Sequence, residues 1–450
     1  MVLRLVLAEP SVRQASAAIG VLHEQVVLGQ LESTKRGLTP VIPIQLYNGA
    51  IRAIVEKAKA GSDATSLVAT TNVLFIAYEH FQGNVDVAVS HIHSGIDILR
   101  AWRLKNGGDP IKAWGRGYRS PDAEIMEVHI VPLLSCFNIK ARSHSESKHV
   151  DIFMNPVTDR GELILPETFY NIQEARVALL DLVTCVNSRF NKLDNSHSEM
   201  AFKSLVKNIE LWHVNMTDLR RRYKAIWSRS ERKAANTICI VWLCMEFGIS
   251  SASVKTESDW DNFRPKYEEM IRLAETMEED QRQSSDNATK DIAFDGSMIL
   301  LFHATAWKCR WPHLRRRALD LFARFPKQQW LMDICNYHKV FARIMELEEA
   351  HLQLSKGSVP DEDWLPSDLE RIYEFTVALQ PGSPGCLPGY NVTFYSRPQG
   401  PDQPWFSFTE YMQPDTTTLN QGAALYNRLS RNKPWTLPQL VTSSVQLNKI

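Results

Sequence analysis

The sequence predicts an all-α fold, a multi-helix array of antiparallel helical hairpins followed by an irregular C-terminal tail. Three observations lead there. Apolar residues recur at spacings of three and four along most of the chain, as in Tyr47, Ala50, Ile51, Ile54 and Ala58. Three runs, Asp63 to Phe81, Ala235 to Phe247 and Met298 to Trp307, are apolar on nearly every side, the pattern of helices buried in a core. No β-rich region and no repeat of fixed length interrupts them.

Taken in order, Leu and Val residues before Pro10 read as the end of one helix. Ser11 and Gln14 stand as a capping box for a second, which carries Ala15, Ala18, Ile19, Leu22 and Val26 on one face. Pro40 and Pro43 mark a connection, and Gly61 ends the helix begun at Tyr47. Gly83 and Asn84 separate the apolar run ending at Phe81 from a helix with Ala88, His91, Ile92, Ile96 and Leu99 inward, Asn84 being a short side-chain acceptor suited to an N-cap. A loop opens at Gly107, and Ser120 with Pro121 starts the next helix, which Pro132 should kink or end. Two helices follow between Glu167 and Tyr223, then the buried run from Ala235, with Gly248 as C-cap. Trp260, Phe263, Tyr267, Ile271 and Ala274 mark another helix, which dissolves into a polar stretch from Glu278 to Lys290.

From Asp291 to His351 a buried helix leads through Lys308, Cys309, Arg310 and Trp311 to Pro312, which suits the first turn of a new helix. That helix places Leu314, Ala318, Leu321, Phe322 and Phe325 inward, and a third aligns Trp330, Ile334, Tyr337, Phe341, Ile344 and Leu347. Residues 1–355 thus form the helical body, with lobes 1–140 and 166–355 on either side of a polar span. Residues 356–450 carry one short helix near Pro366 to Leu379 and then a Pro-rich, largely irregular tail.

The chain is formally neutral over 450 residues, so nothing in its overall charge draws it to nucleic acid or membrane. Seven scattered cysteines, most of them in apolar periodic segments, suit reduced thiols in an intracellular protein. No segment is long and apolar enough to span a bilayer, and MVLRLVLAEP is too short an apolar run for a signal peptide.

Three stretches carry a resemblance: QLYNGAIRAI (Gln45 to Ile54), VLFIAYEHFQGNVDVAVSHIHSGIDIL (Val73 to Leu99), and WKCRWPHLRRRALDLFARFP (Trp307 to Pro326) with ELEEAH after it. In that order and spacing they resemble, over roughly residues 10 to 355, the regulatory (middle homology) region of fungal zinc-cluster transcription factors. Gly83, Asn84, Lys308, Cys309, Arg310, Arg315 and Arg316 are the residues of that signature, with structural roles expected. The resemblance implies a nuclear regulator of transcription by RNA polymerase II. Its partners would be the transcriptional machinery or coregulator proteins, with a small-molecule effector as a further partner. The six-cysteine cluster that begins such factors is absent here, since no C-x-x-C occurs. The expectation is therefore a regulatory region without its DNA-binding module, not an enzyme, with no cofactor. Zinc enters only under the alternative that an N-terminal exon with the cluster precedes this start. A helical enzyme or small-molecule carrier is the third reading.

Two features compete with these. Lys308, Arg310, Arg315, Arg316, Arg317 and Arg324 could meet phosphates, but cations in a helix's first turn oppose its dipole, and Asp320, Glu346, Glu348 and Glu349 are placed to pair with them. An ion-pair network is expected, and direct DNA binding is not. In the tail, Trp405, Phe406, Phe408 and Tyr411 lie among Asp402, Glu410 and Asp415. This mixture suits either a disordered activation segment or aromatics packed on the body. His91, His93 and His129 lack the partners of a metal set.

Overall fold

The computed structural model describes residues 2–27, 41–59, 64–82, 84–106, 121–141, 151–155, 157–158, 162–190, 198–251, 254–282, 301, 303–324, 328–329, 332–352, 359–380, 389–400 and 402–413. The described residues divide into two compact units, one up to Ala225 and one from Ile226 on. The division does not follow the polar span near 140–166. That span carries buried Ile152, Met154, Leu163 and Leu165, which bind it into the first unit.

The first unit is helical: α1 (Val2–Ala8), α2 (Pro10–Val27), α3 (Val41–Lys59), α4 (Thr65–Phe81), α5 (Val85–Lys105), α6 (Pro121–Glu124), α7 (Val131–Ala141), α8 (Ile172–Phe190) and α9 (Ser198–Tyr223). Helix α2 packs on α3 and α4, α4 on α5, and α8 on α9. Their apolar stripes supply the core, with Ala18 and Leu22 against Tyr78, and Ala15 and Ala50 against Phe75. Helix α2 starts at Pro10, so Ser11 lies inside its first turn, buried, and its Oγ meets the Thr71 hydroxyl at 3.4 Å instead of capping. Pro132 does not end its helix. A π-helical turn, Ile125–Ile130, precedes it and lets α7 continue past the missing N–H. Gly95 brings α5 close to its neighbours: a Cβ there would lie 2.5 Å from Asn72 Nδ2 and 2.7 Å from Leu134 Cδ2.

A polar clamp holds the 151–155 segment on this unit. The Asp181 carboxylate on α8 accepts the Met154 N–H at 3.0 Å, the Asn155 N–H at 2.6 Å and the Asn155 side-chain amide at 2.9 Å. Arg103 on α5 donates to the Phe153 carbonyl at 2.9 Å and pairs with Glu127 at 2.8 Å. Burial raises the Asp181 carboxyl to about 7, against the lowering pull of those amides and of Arg103.

The second unit contains α10 (Arg229–Ser250), a 3₁₀ helix (Glu257–Phe263), α11 (Arg264–Arg282), a π-helical turn (His303–Lys308), α12 (Pro312–Arg324) and α13 (Ile334–Glu349). Ser228 caps α10 in a reciprocal box with Glu231. Gly248 is buried within α10, which runs on to Ser250, so it is not the C-cap. A two-residue pair, β1 (Gln328–Gln329) with β2 (Met332–Asp333), precedes α13.

The fold is all-α in the main, with a small sheet added near the C-terminal end. Strands β3 (Ile372–Gln380), β4 (Gly389–Ser396) and β5 (Phe406–Met412) form an antiparallel sheet in the order β3-β4-β5. The sequence predicts a short helix near 366–379 and irregular chain after it. Instead Ile372, Phe375 and Val377 belong to a strand, because their β-branched and aromatic side chains fit a pleated surface packed on one face. Phe375 lies edge-on to Trp307 at 5.1 Å and to Phe341 at 5.9 Å, so the sheet shares the helical core. Gly400, with φ of +115°, sits in the β4–β5 connection, where a side chain would be strained.

Candidate functional site

The stretch from Lys308 to Arg316 forms the most densely bonded polar site among the described residues that fall on the signature. The π-helical turn ends at Lys308, Cys309 to Trp311 reverse the chain, and Pro312 opens α12. Arg315 folds back across this turn. Its Nε donates to the Ala306 carbonyl at 3.2 Å and its Nη2 to the Trp307 carbonyl at 3.0 Å, while Nη1 lies 2.7 Å from Glu348 Oε2. A cation in the first turn of α12 is thus offset by the carbonyls ending the preceding turn and by a carboxylate on α13.

Arg310 reaches the same acid, with Nη2 at 3.2 Å from Glu348 Oε1 and 2.9 Å from Glu257 Oε2. Lys308 Nζ pairs with Glu257 Oε1 at 2.8 Å and lies 4.1 Å from the centroid of the Trp307 ring. Arg371, 1 % exposed, binds Asp261 through both oxygens, at 3.0 and 2.6 Å. Arg371 also lies 3.8 Å from Asp368, so four cations face three buried or nearly buried carboxylates, Glu257, Asp261 and Glu348, and a fourth, Asp368, nearer the surface.

Main-chain groups of the sheet complete the cluster. The Ile372 N–H donates to Glu348 Oε1 at 2.9 Å, its carbonyl accepts from Arg310, and the Tyr373 carbonyl accepts from Lys308. Burial alone would raise the Glu348 carboxyl. Arg310, Arg315 and the Ile372 amide overcome this and hold it at about 2. Burial lowers Lys308, against the attraction of Glu257. Burial also pushes the Cys309 thiol up to about 12, which keeps it protonated and unreactive.

The remaining arginines pair nearer the surface: Arg316 with Glu349 at 2.6 Å, Arg317 with Glu275 at 2.8 Å and Arg324 with Glu278 at 3.8 Å. Lys308, Arg310 and Arg315 are buried and cannot meet a phosphate. Glu348 and Glu349 are the partners foreseen for the arginines, whereas Glu346 pairs with Arg343 instead. Glu257, Asp261 and Arg371 were missed. Their signal is slight: Glu257 and Asp261 are two of three acids within a few residues of Trp260, and Arg371 abuts the apolar start of β3.

Other expected site residues scatter. Gly83 lies outside the described residues. Asn84 occupies the N-cap position of α5, but its side chain makes no capping bond there; its amide donates to Glu79 Oε2 at 2.7 Å. The Nε2 of His91 meets the Tyr47 hydroxyl at 3.1 Å, and burial lowers its pKa. No group of three metal-ligating side chains occurs among the described residues.

Trp405, Phe406, Phe408 and Tyr411 are not strung along irregular chain. Phe406, Phe408 and Tyr411 lie on β5, and Trp405 just before it stacks under Arg397, 4.0 Å from the ring centroid. A shallow cleft of about 320 Å³ opens beside Trp311, whose ring is covered by Arg264 at 4.3 Å. No helix among the described residues is long and apolar enough to cross a membrane.

No family model, curated protein or solved structure matches the chain.

Proposed function

We propose that this chain is a regulatory region of the kind that follows the DNA-binding module of fungal zinc-cluster transcription factors, acting in the nucleus through protein contacts rather than catalysis. The reading rests on the three stretches from Gln45, Val73 and Trp307, which resemble that region in order and spacing. The observation that carries it further is the inward turn of Lys308, Arg310 and Arg315 onto Glu257 and Glu348. These cations are spent on holding the fold, which favours a protein-contact role over binding of a phosphate backbone.

The test is to fuse residues 1–450 to a foreign DNA-binding domain upstream of an RNA polymerase II reporter. The whole chain is required, because β3 to β5 are tied to α13 and the 3₁₀ helix and do not stand alone. A change in transcription, up or down, supports the reading. An unchanged reporter with the fusion present at its site overturns it. So does steeply salt-dependent binding of duplex DNA by the unfused protein that charge reversal at Arg316 and Arg317 abolishes.

A further inference from the structure

The two edges of the C-terminal sheet differ. At the start of β3 the main chain is engaged by side chains: Ile372 by Glu348 and Arg310, and Tyr373 by Lys308. The pairing of β3 with β4 also carries a register irregularity between Ile372 and Glu374. Strand β5 ends the sheet on the other side among the described residues, and its register with β4 is continuous from Phe406 to Met412.

Edge strands are ordinarily protected by charge, proline or a bulge. Strand β5 has no proline between Phe406 and Met412. Its one charge, Glu410, is bound by Arg343 on α13 at 2.8 Å and so is neutralised within the fold. Phe406 meanwhile remains 54 % exposed.

We propose that β5 is a self-association edge, on which a second copy of this chain adds its own β5 in antiparallel register about a two-fold axis at Thr409. The residue pattern selects this partner and this register. With Thr409 opposite its copy, Phe406 faces Met412, Ser407 faces Tyr411 and Phe408 faces Glu410. The exposed Phe406 gains an apolar neighbour and no charge meets its like. Centring the axis on Glu410 would oppose two carboxylates. Centring it on Phe408 would set Met412 against Pro404, which has no N–H to give. The pairing joins two three-stranded sheets into one of six and satisfies the outward main-chain groups of both edges. The inference does not depend on the transcriptional reading.

The experiment measures the mass of the full chain by sedimentation between about 1 and 100 µM, a span that captures micromolar self-association. The expected result is a concentration-dependent doubling of mass. Thr409→Lys and Thr409→Asp each set like charges against each other across the axis and are expected to abolish the doubling. An equimolar mixture of the two is expected to restore it, which also shows that both variants are folded. A wild-type chain that stays monomeric overturns the proposal and gives the edge to another occupant, residues 414–450 included. A dimer indifferent to both substitutions, or monomeric variants that fail to pair when mixed, also overturns it.

Discussion

Replacing Glu348 by Gln tests the ionic clasp most directly. The side chain keeps its volume, and its remaining oxygen can still accept the Ile372 N–H, but Arg310 and Arg315 lose the anion they share. Held at about 2 against an ordinary glutamate value of about 4.3, the carboxylate contributes roughly 3 kcal/mol at neutral pH by linkage. Breaking a buried pair by removing one partner costs about 3–5 kcal/mol, because the other charge stays buried. The two routes agree on about 3–5 kcal/mol, a large part of the roughly 5–15 kcal/mol of a typical domain.

The sign with pH follows from the lowered value. The stabilisation is full above the ordinary glutamate range and disappears as pH falls through about 2. Urea unfolding followed by tryptophan fluorescence at pH 7 should show a large drop in midpoint for Glu348→Gln. Arg317→Ala, which removes a pair with its partners 47 % and 40 % exposed, is the control. It should cost less than about 1 kcal/mol. A Gln variant within about 1 kcal/mol of wild type, or a control that loses as much, would refute the reasoning.

Asp181, raised to about 7, makes the native state the better proton binder, so the first unit should lose stability as pH rises from about 4 to 7. Thermal unfolding at pH 5 and pH 8 checks this, and Asp181→Asn should flatten the difference. Gly95→Ala should cost about 1–3 kcal/mol by driving a methyl group into Asn72 and Leu134, read as a fall in the urea midpoint. Gly400→Ala should cost about 1–2 kcal/mol for its positive φ alone, since nothing lies near its added methyl. Hydrogen exchange of the β4–β5 amides should rise with it.

Helical periodicity was legible wherever one face was buried. The described parts of the stripes of α2, α5, α12 and α13, and Pro312 at the head of α12, stand where their spacing puts them, while Phe325 and Trp330 and the side chains of Val26 and Ile334 lie outside what is described. What misled were local signals that tertiary contacts outweigh. Ser11 could cap a helix, yet Pro10 already sits in its first turn. Gly248 could end one, yet packing carries α10 past it. Pro132 could stop one, yet a π-helical turn absorbs the missing donor.

The sheet escaped because Ile372 to Leu379 is short, and apolar residues in so short a run fit either period. For the site, the arginines and their acids on α13 could be read from dipole cost and helix spacing. Glu257, Asp261 and Arg371 could not, because they reach the cluster from distant parts of the chain, and no local pattern encodes that distance.

That distance also orders the events of synthesis. Arg371 binds Asp261 across 110 residues, and Lys308 binds the Tyr373 carbonyl across 65. At about 5–20 residues per second, Asp261 emerges roughly 5–20 s before its partner arginine exists. In that interval Trp307 and Phe341 have no Phe375 to cover them, and Glu348 has no Ile372 amide. A nascent chain halted near residue 355 would thus already hold every partner that Lys308, Arg310 and Arg315 find on Glu257 and Glu348, and would lack only the Ile372 and Tyr373 main-chain groups and the Phe375 ring that cover the turn.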